Sequence, residues 1–293
     1  MKSPMPGYRF ARLRRWPWRG LDLARKVRYC TIGAAVFGVQ LITSCDPRIV
    51  IATPTCTSAT TGQTLFGDDR SNVESNEPIE LPWSTGFERG FCDYWEASGY
   101  CYTSGTAAYK LVESPVHNGR FAAAFSVTVD SSLTIMQTRC VRQGRLPPEA
   151  YYGAWYLVPS IRKSAGFWNL IHFHGGSSAS DAENLWDVSL VNDSTGALRL
   201  SVYNHIAQKL YDLPSAATIP IGAWFRIQVY LKRAADATGV LVVYLDGFQV
   251  LQLSGLVTDN TTWGEWYVGN LGISLDPPES TLFVDDITVS KSL

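Results

Sequence analysis

An alternation of apolar and polar residues runs through residues 81–293 and is the feature that most constrains the fold. In residues 225–232 the odd positions are Phe, Ile, Val and Leu, and the even positions are Arg, Gln, Tyr and Lys. A period of two places successive side chains on opposite faces of a β-strand, so it predicts strands with one buried face. Similar patterns lie at residues 121–129, 152–158, 168–174, 186–191, 198–203, 240–245, 248–253 and 281–290.

Turn residues separate these strands at short intervals. Asp246-Gly247 is a strong signal for a two-residue hairpin, and Gly175-Gly176 and Asn192–Gly196 interrupt the apolar pattern. No segment carries a convincing helical period longer than two turns. We therefore predict one all-β domain over the 213 residues 81–293, an antiparallel β-sandwich of the jelly-roll kind.

The first 44 residues have the features of an export signal. They hold nine basic residues and one acidic residue, and the basic stretch is followed by the mostly apolar segment Thr31–Ser44. Its fourteen residues are too few to cross a bilayer, which needs about 20, but they suit the apolar part of a signal peptide. The alternative is a short buried helix.

The signal ends in Leu41-Ile-Thr-Ser-Cys45, which resembles a bacterial lipobox. The resemblance implies a signal peptide over residues 1–44 and a lipid on Cys45, which would anchor an exported protein in the inner or outer membrane of the bacterial cell envelope. Residues 45–80 are rich in Thr, Ser, Asp, Asn and Pro without a sustained period, so we predict a polar linker. An arm packed on the domain is the alternative for its last ten residues.

Charge is unevenly distributed between this signal and the rest of the chain. The chain has 25 basic and 26 acidic residues, of which residues 45–293 hold 16 and 25, a formal charge of −9. Affinity for nucleic acid comes mostly from neutralising phosphates. We therefore expect no nucleic-acid partner.

Four cysteines remain after the predicted export, in a compartment that favours disulfides. Four cysteines allow three pairings, which sequence alone does not distinguish. We predict Cys92–Cys101, which closes a short loop. Cys56 and Cys140 would then pair with each other or stay free.

Five segments of the domain resemble the concanavalin A-like jelly rolls, and among those the polysaccharide lyases of the heparinase and alginate lyase kind. These segments are Gly86–Gly90, Ser114–Gly119, Trp168–Gly175, Leu245–Gly247 and Val284–Val289. The likeness spans nearly all of residues 81–293. It implies a polysaccharide as partner, which the protein either binds or cleaves. A structural or adhesion lipoprotein is the third alternative.

The strand at residues 168–174 carries the residues to which this resemblance gives roles. Alternation puts Ile171 and Phe173 on the core face. The opposite face receives Trp168, Leu170, His172 and His174. The lyases carry Gln-x-His here, so His172 stands at the glutamine position and His174 at the histidine position.

The chemistry implied is β-elimination on a uronic acid, in which a base removes the C5 proton and an acid protonates the departing O4. His174 would be the base, because its usual pKa lies near neutral pH. His172 would hydrogen-bond the substrate carboxylate, with Arg199 or Arg226 as its charge partner. The lyases use a late tyrosine as the acid, but Ser274 stands at that position. The candidates to replace it are Tyr203, Tyr230 and Tyr244.

Two kinds of ligand site complete the expectations. Tryptophan faces stack on sugar rings, and the predicted substrate-binding residues are Trp168, Trp186, Trp224 and Gln228. The related sugar-binding jelly rolls often hold a structural calcium, which implies Glu88 with Asp285 or Asp286 as ligands here. The alternative is a solvated strand end. A zinc site at the two strand histidines would need a third ligand, for which His205 is the candidate by type.

Overall fold

The computed structural model describes residues 56–57, 64–65 and 78–293, apart from 98, 130–134, 165, 178–180, 214–216, 260 and 262. The predicted signal peptide, the lipidation site Cys45 and most of the predicted linker lie outside these residues. The described part of the chain is almost entirely antiparallel β-structure, with one short helix, α1, at Cys92–Glu96. None of its helices is long and apolar enough to span a membrane.

Two large antiparallel sheets make up the domain. The first has seven strands in the order β13 (Lys209–Asp212), β12 (Leu198–Asn204), β11 (Glu183–Asn192), β10 (Trp168–Gly176), β17 (Trp263–Gly272), β7 (Met136–Gly144) and β4 (Tyr100–Ser104). The second has eight, in the order β16 (Phe248–Leu256), β15 (Gly239–Leu245), β14 (Trp224–Lys232), β8 (Glu149–Leu157), β19 (Glu279–Ser290), β6 (Ala122–Thr128) and β5 (Ala107–Val112), with β3 (Trp83–Thr85) also paired to β19. Two short pairs join β1 (Cys56–Thr57) to β2 (Thr64–Leu65) and β9 (Lys163–Ser164) to β18 (Leu275–Asp276).

The core lies between the two large sheets. Tyr152 of β8 packs edge-on against Phe173 of β10 and Trp266 of β17, with ring centroids 5.1 and 5.2 Å apart. These residues belong to one cluster of buried apolar side chains drawn from both sheets. The antiparallel β-sandwich predicted from the sequence is therefore confirmed.

Trp168 and Trp186, predicted to bind substrate, belong to this core instead. They are 1% and 0% exposed, so neither presents a face to a sugar ring. Their indole N–H groups find partners inside the protein, on Asn270 Oδ1 and on the Thr258 carbonyl oxygen. Flat apolar rings fill the space between two sheets well, and sequence period does not distinguish this use from stacking on a ligand.

A β-bulge in β10 explains why Trp168 leaves the predicted face. The pairing of β10 with β11 and with β17 shifts register between Asn169 and Ile171. At a bulge, the alternation of side chains between the two faces of the strand shifts by one residue. Asn169 therefore lies on the same side as His172 and His174, and Leu170 packs in the core.

The disulfide links Cys101 of β4 to Cys140 of β7, not Cys101 to Cys92. Cys101 and Cys140 lie directly opposite each other in the register of these two antiparallel strands. Cys92 is also disulfide-bonded. The pairing of these two cysteines is set by the register of their strands, which brings together residues 39 positions apart in the sequence.

The predicted calcium ligands Glu88, Asp285 and Asp286 surround the segment 117–121. Asp285 Oδ2 accepts hydrogen bonds from the backbone N–H groups of His117 (2.9 Å) and Asn118 (3.2 Å). Glu88 Oε1 accepts two more, from the backbone N–H groups of residues 120 and 121, at 2.8 and 3.0 Å. Asp286 Oδ2 lies 2.6 Å from His117 Nδ1. Burial raises the pKa of Asp285 to about 6. Calcium at these carboxylates stays a prediction.

Candidate functional site

One face of the seven-stranded sheet points away from the core and carries a continuous set of polar side chains. We call this set the polar face. It comprises Tyr100, Arg139, Asn169, His172, His174, Asn184, Asp187, Tyr203, Glu265, Tyr267 and, from the turn after β12, His205. Because strand neighbours place their side chains side by side, residues far apart in sequence meet here.

The first group on the polar face joins His174, Tyr267 and Glu265. His174 Nδ1 lies 2.9 Å from Glu265 Oε2 and 3.1 Å from the Tyr267 hydroxyl. The Tyr267 hydroxyl donates to the same Glu265 oxygen, and Tyr100 donates to the other at 3.3 Å. Burial, followed by the charge of Glu265, raises the pKa of Tyr267 well above its usual value, so its hydroxyl keeps its proton.

The second group is centred on the carboxylate of Asp187. His172 Nδ1 contacts Asp187 Oδ1, and His205 Nε2 lies 2.6 Å from Oδ2. Asn169 also donates to Oδ1, at 2.8 Å. Burial lowers the pKa of His172 to about 3, despite the neighbouring carboxylate. Although burial disfavours its charge, Asp187 has a pKa below the usual range because the two imidazoles interact with its ionised form.

Asn184 connects the two groups. Its side-chain Oδ1 lies 2.9 Å from His172 Nε2 and 2.7 Å from His174 Nε2. Asn184 and His205 also line a cavity of about 690 Å³ beside these histidines, together with residues that include Asp181, Glu183 and Thr261. The cavity therefore meets the polar face at Asn184 and His205.

Arg139 supplies the positive charge of the polar face. Its guanidinium lies 5.4 Å from the centre of the Tyr267 ring and donates to Asn169 Oδ1. The side chain is buried, and its Nε has no hydrogen-bond partner in the described part of the chain. A buried guanidinium with an unused donor is suited to a carboxylate.

The structure brings together only some of the residues that the sequence singled out. Both histidines of β10 are on the polar face, and the ring of Tyr203 lies 4.7 Å from that of His205. Arg199 is on the same strand as Tyr203 but forms an ion pair with Asp193.

The remaining sequence-predicted residues lie in the other sheet. Tyr230, Arg226, Trp224 and Gln228 all belong to β14, and Tyr244 belongs to β15. Tyr230 donates to Glu149 of its own sheet at 2.6 Å. The assignment of these residues to the site is therefore corrected: a strand pattern gives the face of a residue but not the sheet to which its strand belongs.

Seven residues of the polar face were not predicted from the sequence: Tyr100, Arg139, Asn169, Asn184, Asp187, Glu265 and Tyr267. Two of them were visible as a pattern, since Glu265 and Tyr267 alternate with the core residues Trp266 and Val268. Glycines at both ends of this run made the segment hard to recognise as a strand, because glycine is uncommon inside strands. The tyrosine beside His174 is thus Tyr267, seven positions before Ser274.

The comparisons with known proteins find similarity at the level of structure. No family model and no curated protein matches the chain. The endo-β-1,4-glucuronan lyase of the fungus Trichoderma reesei superposes with a TM-score of 0.54 at 17% identity, over 66% of this chain and 90% of that one. The cellulose-induced protein Cip1 gives 0.49 at 14% identity, over 71% and 97%. An alginate lyase from Aplysia kurodai gives 0.47 at 10% identity, over 72% and 98%.

The solved structures bear on the fold alone, because their sequence identity is low. The glucuronan lyase shares the arrangement of strands over most of both chains. This agrees with the two antiparallel sheets described above and with the family resemblance seen in the sequence. The chain therefore has the polysaccharide-lyase-like jelly-roll fold.

Proposed function

We propose that the protein is a polysaccharide lyase that cleaves a uronic-acid-containing glycan by β-elimination. One observation carries the proposal: His174, Tyr267 and Glu265 are in mutual contact, with Arg139 beside them, on one face of a lyase-like sheet. These side chains provide a base, an acid and a positive charge, which are the three functions that β-elimination needs.

His174 is the base in this mechanism. Its Nδ1 is held by Glu265, which fixes the ring, and its Nε2 faces Asn184 at the cavity. When substrate displaces the Asn184 contact, Nε2 accepts the C5 proton. The C5–H electrons form the C4=C5 double bond as the C4–O4 bond breaks.

Tyr267 is the acid, since its raised pKa keeps the phenol protonated until the strongly basic O4 departs. After the bond breaks, His174 carries an extra proton and Tyr267 lacks one. Across the 3.1 Å contact, Nδ1–H returns a proton to the phenolate, which restores Tyr267 and leaves a neutral imidazole protonated on Nε2. Exchange with solvent water, in which Nε2 gives up its proton and Nδ1 takes one, restores the base. Arg139 stabilises the charge that develops on the substrate carboxylate.

The cellular setting that we propose follows from the amino-terminal sequence. The lipobox-like segment before Cys45 supports an exported protein that is lipid-anchored in the bacterial cell envelope, with the linker over residues 45–80 holding the domain away from the membrane. An exported lyase meets its polysaccharide outside the cytoplasm.

The second candidate is a glycan-binding protein without catalysis. The observation that favours it is burial: Arg139 is 4%, His172 5% and Tyr267 5% exposed. Side chains this well covered, with most of their hydrogen bonds made to other residues of the polar face, are also what a polar scaffold beneath a binding surface would show.

A screen of uronic-acid glycans separates the two candidates. A lyase produces unsaturated uronate ends, whose conjugated double bond absorbs in the ultraviolet, and His174→Ala removes this signal while leaving binding measurable. A binding protein retards the same glycans in affinity electrophoresis without producing any absorbance. Glycan binding without unsaturated product across the screen would rule out the lyase proposal.

A further inference from the structure

We infer that His172, Asp187 and His205 form a binding site for a divalent transition-metal ion, of which zinc is the first candidate. The imidazole and carboxylate ligand atoms of these residues all lie within 4.8 Å of one another. They come from β10, β11 and the turn after β12, which are neighbours in one sheet, so strand pairing brings the three side chains together.

The spacing is within reach of a tetrahedral ion. Ligand atoms around zinc sit about 2.0–2.1 Å from the metal, hence about 3.4 Å from each other. Both imidazoles now contact the Asp187 carboxylate directly, His205 Nε2 at 2.6 Å, so these two pairs must separate to admit the ion. The widest separation, at most 4.8 Å, must close by no more than about 1.4 Å, which rotation of the partly exposed His205 side chain supplies. The sequence named His172 and His205 for a zinc site but combined them with His174, whereas the carboxylate that completes the set, Asp187, is on the next strand.

The donor types select the class of metal. Two imidazole nitrogens and one carboxylate oxygen suit zinc and its neighbours in the first transition row, while calcium and magnesium prefer oxygen donors throughout. Three protein ligands with a fourth position open are typical of zinc sites that bind water or substrate. His205 and the adjoining Asn184 line the cavity, so the fourth position opens towards it.

The surrounding contacts hold the ligands as metal sites require. A metal-bound imidazole usually donates its other N–H to a nearby acceptor, which fixes the ring. With the metal on Nδ1 of His172, its Nε2–H donates to Asn184 Oδ1 at 2.9 Å. Asn169 donates to Asp187 Oδ1 at 2.8 Å and orients that carboxylate.

If the protein acts on an anionic glycan, as proposed above, a cation at this site would also reduce the repulsion between the polar face and its substrate. The ionised carboxylates of Asp187 and Glu265 outnumber the one guanidinium, Arg139, on the polar face, and Asp181 and Glu183 line the cavity. A uronate is itself an anion and is repelled by such a surface. A divalent ion at Asp187 changes the formal sum of the polar face from −1 to +1.

The test measures metal directly. The full chain is stripped with a chelator and titrated with Zn²⁺ by calorimetry, and with Co²⁺ while its visible absorption is recorded. We expect one ion per chain and the intense d–d bands of tetrahedral cobalt. Asp187→Asn and His205→Ala should each weaken binding by at least about 100-fold, with thermal melts of the metal-free variants showing that they fold.

The matched control is His174→Ala, a neighbouring histidine that is not a ligand, which should bind the metal as the wild type does. Failure of the wild type to bind either ion, or equal binding by His205→Ala, would overturn the site. Stoichiometric zinc without elimination on any glycan would instead refute the lyase and support the metal site. Elimination by a chain that takes up neither ion would refute the site alone.

Discussion

At the scale of single residues, the identity of the proposed acid depends on which strand lies next to β10. Tyr267 pairs directly opposite His172 in the register of β10 and β17, and it lies diagonally across from His174. Diagonal neighbours on one face of a sheet are within reach of long side chains. Tyr230 and Tyr244 alternate just as regularly, but their strands belong to the other sheet.

Replacing Tyr267 by phenylalanine tests this assignment. Loss of the hydroxyl removes proton transfer to O4, so we expect elimination to fall about 10²- to 10⁴-fold while glycan binding persists. The matched control is Tyr230→Phe, which removes the same atom from the opposite sheet and should leave the rate unchanged. Loss of elimination in Tyr230→Phe but not in Tyr267→Phe would contradict the site described here.

The sequence predicted the two histidines of β10 but only part of their surroundings. A period of two is a local property, so it correctly directs His172 and His174 to one side. It carries no information about Asp187 or Arg139, whose proximity is set by pairing between strands. Strict alternation misplaces Asn169, because a bulge puts the consecutive residues Leu170 and Ile171 both in the core and so reverses the side on which Asn169 lies.

At the scale of elements, β7 and β17 are the central strands that sequence reasoning overlooked. β17 lies directly beside β10 and β7 lies beside β17, and together they contribute Arg139, Glu265 and Tyr267. Gly269 allows their close approach: a Cβ there would lie 2.3 Å from the carbonyl oxygen of Thr138 and 2.8 Å from the Cα of Arg139. The glycines that made β17 look unlike a strand are thus needed for it to pair.

Gly269→Ala should destabilise the protein measurably in chemical denaturation. The added methyl group collides with backbone atoms, so overpacking of about 1–3 kcal/mol adds to the backbone strain of a positive φ. Gly222→Ala is the control, because Gly222 also has a positive φ but has nothing within 4 Å of its Cβ position. Equal losses in the two variants would show that the collision is relieved without cost.

The disulfide between β4 and β7 gives a second prediction at this scale. Peptide mapping without reduction should yield a cross-linked pair that contains Cys101 and Cys140. Replacing both by serine should lower the free energy of unfolding by about 4 kcal/mol, from loop closure over their sequence separation of 39. Recovery of a Cys92–Cys101 peptide would contradict the register of these two strands.

At the scale of the whole molecule, the fold follows from sequence pattern more completely than the site does. Alternation and turn signals predicted nine strands and the hairpin at Asp246-Gly247, where both residues have positive φ. These signals suffice for an antiparallel sandwich because each strand needs only one buried face. Strand order comes from long-range pairing, which no local pattern contains.

Calcium at Glu88, Asp285 and Asp286 would stabilise the whole domain by tying the terminal strand β19 to the segment 117–121. A buried carboxyl group with a raised pKa opposes folding once it ionises. The pKa of Asp285 is raised to about 6, so the stability of the domain falls as the pH rises through that value. Calcium offsets that loss. We expect added Ca²⁺ to raise the melting temperature clearly above this pKa and little below it; an unchanged melt at both would exclude calcium.

The lipid anchor is the other prediction for the whole chain. In a bacterial host, the wild-type protein should incorporate labelled fatty acid and sediment with membranes, because the lipobox-like segment ends at Cys45. Cys45→Ser removes the acceptor thiol, so the label should disappear. Cys56→Ser, eleven positions further on, is the control and should keep it. Labelling that survives Cys45→Ser would refute the anchor.

The bulge at the start of β10 has a consequence for finding other proteins of this kind. Because one irregular residue brings Asn169 alongside the two imidazoles, the face carries the spacing Asn-x-x-His-x-His instead of an uninterrupted every-other-residue signature. A sequence-pattern search that requires strict alternation does not find such chains. A query that permits one extra position before the first histidine, with Glu-x-Tyr some ninety residues later, would gather them.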